Sequence, residues 1–151
     1  MDTSPRAVRG RLAAFRERCA ALGLAPTPQR LAIYTVLAGT DGHPCAEEIF
    51  RQIKPAMPSL SLGTVYRTLE LLESHGLVGR VHGLDDQAHF DANLDHHHHL
   101  VCTRCHAVRD FDAPALPGLA IPEAALGGFR VESQRLHLLG VCAACQDMES
   151  R

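Results

Sequence analysis

The chain has 151 residues, 46% apolar and 5% aromatic with no Trp, which allows one ordinary domain or two small ones packed with aliphatic side chains. The formal charge of −2 hides an asymmetry. Residues 1–83 carry ten Lys/Arg against seven Asp/Glu and residues 84–151 five against ten, so the front half suits a polyanion and the histidine-rich rear half suits cations.

No run approaches the ~20 apolar residues that cross a bilayer. The N-terminal stretch, with Arg6, Arg9, Arg11, Arg16 and Arg18, lacks the apolar segment of an export signal. A cytoplasmic protein with no membrane partner is expected. Residues 7–22 alternate basic and apolar positions at helical spacing and stop at Gly23. Thr27 as N-cap and Pro28 at the first helical position open a second helix, with Leu31, Ile33, Tyr34, Val36 and Leu37 on its buried face. A third helix is expected over about 45–54, ended by Pro55 and Pro58. Ser61 caps a fourth, in which Leu62, Val65, Leu69 and Leu72 form one stripe while Gly63, Thr64 and Arg67 point away. Gly76 closes it.

Two β-prone runs, 78–83 and 87–92, joined by a turn at 83–86, complete the pattern of a winged helix-turn-helix. Beyond it, 98–103 and 106–112 read as strands. The prolines within 113–128 allow only a short or broken helix, and 129–141 reads as a last strand. The expected fold class is α+β, with a winged-helix domain over 1–84, a hinge over 85–95 and a second domain over 96–151.

Four of the six cysteines fall in two CxxC pairs, Cys102/Cys105 and Cys142/Cys145, separated by a long insert. Two such turns can close a tetrahedral zinc site with no open position, which makes it structural rather than catalytic. The competing reading, a redox dithiol, needs one CxxC beside a βαβ unit, and none is evident. Cys19 and Cys45 have no such neighbours and read as small buried hydrophobes.

A second constellation lies around His96-His97-His98-His99. On a strand, His97 and His99 project to one face and His96 and His98 to the other. Asp110, on the strand across the knuckle, can reach the His97/His99 face; Asp91 ends the wing and His43 precedes the third helix. Three imidazoles with two carboxylates make a nitrogen/oxygen site suited to Fe²⁺, Mn²⁺ or Zn²⁺ rather than Cu⁺. His43 alone fits a capping or surface role equally well. On the fourth helix, Thr64, Tyr66 and Arg67 are side chains that reach phosphates and base edges in a major groove, with Arg16 and Arg30 added from the basic first half. The same segment also fits a plain solvated face.

Taken together, these residues resemble the ferric uptake regulator family of metal-dependent repressors. The matching segments are 27–30 (TPQR), His43-Pro44, 61–67 (SLGTVYR), His89-Phe90-Asp91, 96–105, Asp110-Phe111 and 140–145 (GVCAAC). The resemblance implies a homodimer that binds a palindromic double-stranded DNA operator, with 96–151 serving dimerisation and metal binding. Cys102, Cys105, Cys142 and Cys145 correspond to its structural Zn²⁺ ligands. His43, Asp91, His97, His99 and Asp110 fall where its regulatory Fe²⁺ or Mn²⁺ is held. Aspartates at 91 and 110 are similar to the peroxide-sensing branch, in which a ligand histidine is oxidised; the matching positions are His43 and His97. Tyr66-Arg67 looks more like the iron-responsive branch. Gln134 stands where the family often has a histidine of a further site, so no full third site is expected from His96, His98 and His137.

Two functions of other classes stay open on the residues alone. One is a metallohydrolase that activates water at the His/Asp cluster, although no general base or substrate cleft is identifiable. The other is metal storage on the histidine run, which leaves the winged-helix pattern without a purpose. The expected reading is therefore a regulator, not an enzyme, with no small-molecule substrate.

Overall fold

The computed structural model describes residues 3–82, 87–111 and 120–149. The turn expected at 83–86 and most of the proline-interrupted stretch lie outside the described residues. Three helices begin where the caps place them. Ser4 and Pro5 open α1 (Pro5–Ala21), with the Ala7 amide 3.4 Å from Ser4 Oγ. Thr27 and Pro28 open α2 (Pro28–Ala38), and Thr27 Oγ1 accepts from the Arg30 amide. After α3 (Ala46–Ile53), Ser61 opens α4 (Leu62–Ser74) by accepting from the Thr64 amide at 3.1 Å. Gly23 and Gly76 follow α1 and α4 with φ of +68° and +63°, a conformation that costs a residue with a Cβ.

Strands β1 (Gly79–His82) and β2 (Ala88–Asp91) pair antiparallel, Gly79 opposite Asp91. A separate sheet has the order β4-β3-β5, from β3 (His98–Cys102), β4 (Val108–Phe111) and β5 (His137–Gly140). β4 runs antiparallel to β3, whereas β5 runs parallel, with His99 opposite both Asp110 and His137. A short 3-10 turn at Glu123–Ala125 precedes β5, and α5 (Ala143–Glu149) follows it.

Two differences from the sequence expectation stand out. The last strand covers four residues, not the whole of 129–141, because only His137–Gly140 has β3 to pair with. Helix α5 was not expected. Its first turn is organised by the second CxxC, where the amides of Cys145 and Gln146 donate to the Cys142 carbonyl.

The two halves are held differently. The main core is built from α1–α4, β2 and their connections, with Phe15, Ile33, Leu37, Ile49, Val65, Leu69, Leu72, Leu77 and Phe90 fully buried. The rings of Phe15 and Tyr34 stack at 4.0 Å. Cys19 is fully buried and Cys45 nearly so, as small hydrophobes. The second cluster is only Val81, Val101 and Val108, which joins the wing to the β3–β4 pair. So small a core needs another source of stability, and its cysteines are the candidates.

Candidate metal centres

The four knuckle cysteines converge at the ends of β3 and β5, one sulfur from each lying within 4.8 Å of the others. Cys105 Sγ and Cys142 Sγ are 3.7 Å apart, against about 3.8 Å between sulfurs of a tetrahedron with zinc–sulfur bonds of about 2.3 Å. Amides of Arg104 and Cys142 point at Cys102 Sγ from 3.4 and 3.3 Å. The backbone of Cys105 first, and then these two donors, hold the Cys102 thiol down at about 6, which favours the thiolate. Cys145 goes the other way, pushed up to about 12 chiefly by its contact with Cys142. Four sulfurs this close cannot all carry charge without a cation among them. The donor set fits a dication of soft character.

The second centre joins both halves of the chain. His43 Nε2 lies 2.8 Å from Asp110 Oδ1 and 3.4 Å from Asp91 Oδ2. His97 Nε2 lies 3.0 Å from Asp91 Oδ2, 3.4 Å from Asp110 Oδ1 and 3.0 Å from His99 Nε2. His99 Nε2 is 3.7 Å from Asp110 Oδ1. One ligand atom from each of the five lies within 4.8 Å of the others. Bonds of about 2.1 Å from one ion put neighbouring ligands about 3.0 Å apart and opposite ones about 4.2 Å apart, which is the spread observed. All but Asp110, itself only partly exposed, are buried.

Hydrogen bonding alone does not satisfy this arrangement. His43 Nε2 and Asp110 Oδ1 pair at ion-pair distance without good hydrogen-bond geometry, and Nδ1 of His43 and Nδ1 of His99 are buried with no hydrogen-bond partner. The Nδ1 of His97 contacts the Asp95 carbonyl at 2.7 Å, where it must donate; this leaves the lone pair on Nε2, aimed inward. Lone pairs and carboxylate oxygens facing one point suit a cation there. Burial, which alone would lower the His43 pKa, is outweighed by Asp110 and Asp91, and the value rises to about 9. His99 falls to about 4 through burial and the charge of His43 and His97. Despite its own burial, Asp110 is held below the usual carboxylate range by His43 and His97.

Local structure explains the convergence. The His43 segment is fastened to β2: His89 Nδ1 donates to the His43 carbonyl at 2.6 Å and the Phe90 amide to the Pro44 carbonyl at 3.2 Å. The β3–β4 register puts Asp110 opposite His99. Asn93 spans both carboxylates, its backbone N–H donating to Asp91 Oδ1 at 2.7 Å and its side-chain Nδ2 to Asp110 Oδ2 at 3.5 Å. Neither His89 nor Asn93 was assigned a role from sequence. A cleft of about 420 Å³ lies between α3 and the first knuckle, lined by His43, Glu48, Arg51, His89 and Cys105.

The remaining histidines are engaged elsewhere. His96 Nε2 meets the Gln134 carbonyl at 2.7 Å, and His98 Nδ1 accepts from the Leu136 amide at 3.3 Å. The His137 ring packs on His99 at 4.9 Å. Among the described residues they form no further group able to hold an ion. On α4, Thr64 is half-buried and Tyr66 and Arg67 are exposed; Arg67 Nη2 is 3.4 Å from Thr64 Oγ1. Arg16 is exposed on α1, and Arg30 donates to the Ala25 carbonyl at 2.6 Å. No described helix is long and apolar enough to cross a membrane.

A family model described as the ferric uptake regulator family matches residues 21–139. The peroxide-responsive repressor PerR of Staphylococcus aureus is 34% identical over 125 residues, covering 83% of this chain and 84% of that protein. A zinc-bound manganese uptake regulator of known structure is 31% identical, with a TM-score of 0.68 over 85% of this chain and 98% of that one. A zinc uptake regulator complexed with zinc and DNA is 27% identical, with a TM-score of 0.69 over 95% and 98%. On its sequence, its fold and the two clusters together, the chain belongs to the ferric uptake regulator family.

Proposed function

We propose that this chain is a homodimeric, metal-dependent, DNA-binding repressor that responds to hydrogen peroxide. In this reading Cys102, Cys105, Cys142 and Cys145 hold a structural Zn²⁺, and His43, Asp91, His97, His99 and Asp110 hold a regulatory Fe²⁺ or Mn²⁺. The observation that carries it is the second cluster: ligands ahead of α3 and at the end of β2 meet ligands from β3 and β4 within 4.8 Å. Closing those side chains on one ion fixes the angle between the winged helix and the sheet. In a dimer that sets the separation of two α4 helices, and only one separation fits both halves of a palindrome. Leu100, Leu138 and Leu139, exposed around a hollow of about 310 Å³ on the β3–β5 pair, suit the second copy.

The peroxide branch is supported by the relatives at 34% identity and by the aspartates at 91 and 110. A redox-active ion at this centre supplies the chemistry that turns peroxide into a local oxidant. The chain's own part is to keep the rings of His43 and His97 beside that point and away from water. An oxygen added to either ring removes a ligand and loosens the clamp. An iron-responsive regulator is the second reading, favoured by Tyr66-Arg67 on α4.

DNA-binding titrations with Fe²⁺ and with Mn²⁺, each with and without peroxide, test the proposal. Release of DNA only with iron, with His43 or His97 peptides one oxygen atom heavier, is the expected result. Equal irreversible release under both metals defeats the oxidation scheme. DNA binding that survives removal of the regulatory ion, with the cysteine-bound zinc retained, defeats the repressor reading itself.

A further inference from the structure

Tyr66 stands on the outer side of α4, 39% exposed, away from the buried Val65, Leu69 and Leu72. Its hydroxyl donates to Glu47 Oε1 at 2.6 Å. Glu47 sits half-buried in the first turn of α3, just past the His43 segment. The bond is short and charge-assisted: it holds the Glu47 carboxyl below its ordinary value and pushes the Tyr66 phenol up.

Two physical consequences follow from this pairing. A phenol has one proton to donate, and here Glu47 takes it. The hydroxyl then offers only lone pairs, and the ring its apolar edge, to whatever lies in front of α4. In a major groove those lone pairs meet the amino groups of adenine or cytosine and the ring meets a thymine methyl, whereas N7 and O6 of guanine, both acceptors, find no donor. The Glu47 charge also disfavours phosphate close to this part of α4 unless base contacts compensate.

We propose that Glu47 is a positioning residue for sequence discrimination: it holds Tyr66 as an acceptor-only reader of the major groove and penalises sequence-independent contact. The inference rests on α4 being the reading helix. It also ties the reading surface to α3, whose lead-in carries His43.

The test uses the full-length, Mn²⁺-loaded protein with two duplexes, one selected by this protein from a random library and one scrambled to the same composition. Glu47→Ala is expected to cut the ratio of selected to scrambled affinity by about tenfold, the size of one lost base contact. Tyr66→Phe should cut it similarly, and the double variant no further. Glu47→Gln, which keeps an acceptor and drops the charge, should raise affinity for both duplexes, the scrambled one included, and lower their ratio less than Glu47→Ala does. An unchanged ratio in Glu47→Ala, or effects of Glu47→Ala and Tyr66→Phe that simply add, overturns the proposal. Arg67→Ala separates the two levels. If it weakens binding to the selected duplex while Glu47→Ala leaves the ratio intact, only this inference falls; if it too changes nothing, α4 is not the reading helix and both fall. Should thermal unfolding show that Glu47→Ala does not fold, Tyr66→Phe decides by the same ratio and Glu47→Gln by the affinity for the scrambled duplex, an unchanged value of either overturning the proposal.

Discussion

His43 and Asp110 meet with Nε2 and Oδ1 2.8 Å apart, one ahead of α3 in the helical half and the other on β4 of the three-stranded sheet. This contact lies inside the proposed regulatory centre.

Replacing His43 with Ala removes a proposed ligand and one of the ties between the halves. Losing a partner that only orients a ligand lowers metal affinity by about 10–100-fold, so loss of the ligand itself is expected to cost at least about 100-fold. Calorimetric Mn²⁺ titration reads this, while elemental analysis should still find one zinc per chain. Undiminished Mn²⁺ affinity would remove His43 from the site.

Acidity should oppose the same ion. The metal-free His43 keeps its proton up to about 9, and binding must displace it. Mn²⁺ affinity should therefore climb by about tenfold per pH unit between 7 and 9 and then level off. The sign for the metal-free fold is the reverse. A pKa raised from 6.5 to about 9 contributes stability that is full below 6.5 and lost as pH rises through about 9. Asp110, held low, contributes above its ordinary pKa and loses that share as pH falls through the depressed value. A pH-independent Mn²⁺ affinity would contradict the protonated state assigned to His43.

Asn93→Ala tests how the carboxylates are aimed. The backbone donor to Asp91 is kept and only the side-chain donor to Asp110 is lost, so Asp110 is freer to turn and Mn²⁺ affinity should fall about tenfold with little change in thermal stability. An affinity equal to wild type would show that the β3–β4 register orients Asp110 without Asn93.

Cys102→Ser should release the zinc and with it the β3–β5 pairing. Hydrogen exchange is the direct readout: amides of residues 137–140 lose protection, whereas those of α2 and α4, in the main core, keep theirs. Retained protection at 137–140 would mean that the thin valine cluster suffices.

Arg67→Ala should weaken operator binding severalfold and flatten its salt dependence, with zinc content untouched. Gel shifts at two salt concentrations decide it.

The helical half was largely legible because its signals are local. Ser61 and Thr27 cap where expected, and Val65, Leu69 and Leu72 are buried at the spacing that marked them. The His/Asp set was legible for a different reason: strand alternation put His97 and His99 together, and the β3–β4 register brought Asp110 opposite. What escaped depends on tertiary contact. Asn93 and His89 act through backbone and carboxylate partners that no spacing reveals. Helix α5 has no apolar stripe and owes its start to the turn at Cys142, and residues 129–136 alternate like a strand but lie outside the β3–β5 ladder.

Parallel strands cannot be joined by a tight turn, so β3 and β5 need some other fastening where they end together. The four thiolates occupy that place, Cys102 closing β3 and Cys142 lying just beyond β5. A soft dication there acts as the missing rivet. His99, three residues upstream on β3, would then take its footing from a metal it never touches, and a chain short of zinc would have a less firm base for its second centre.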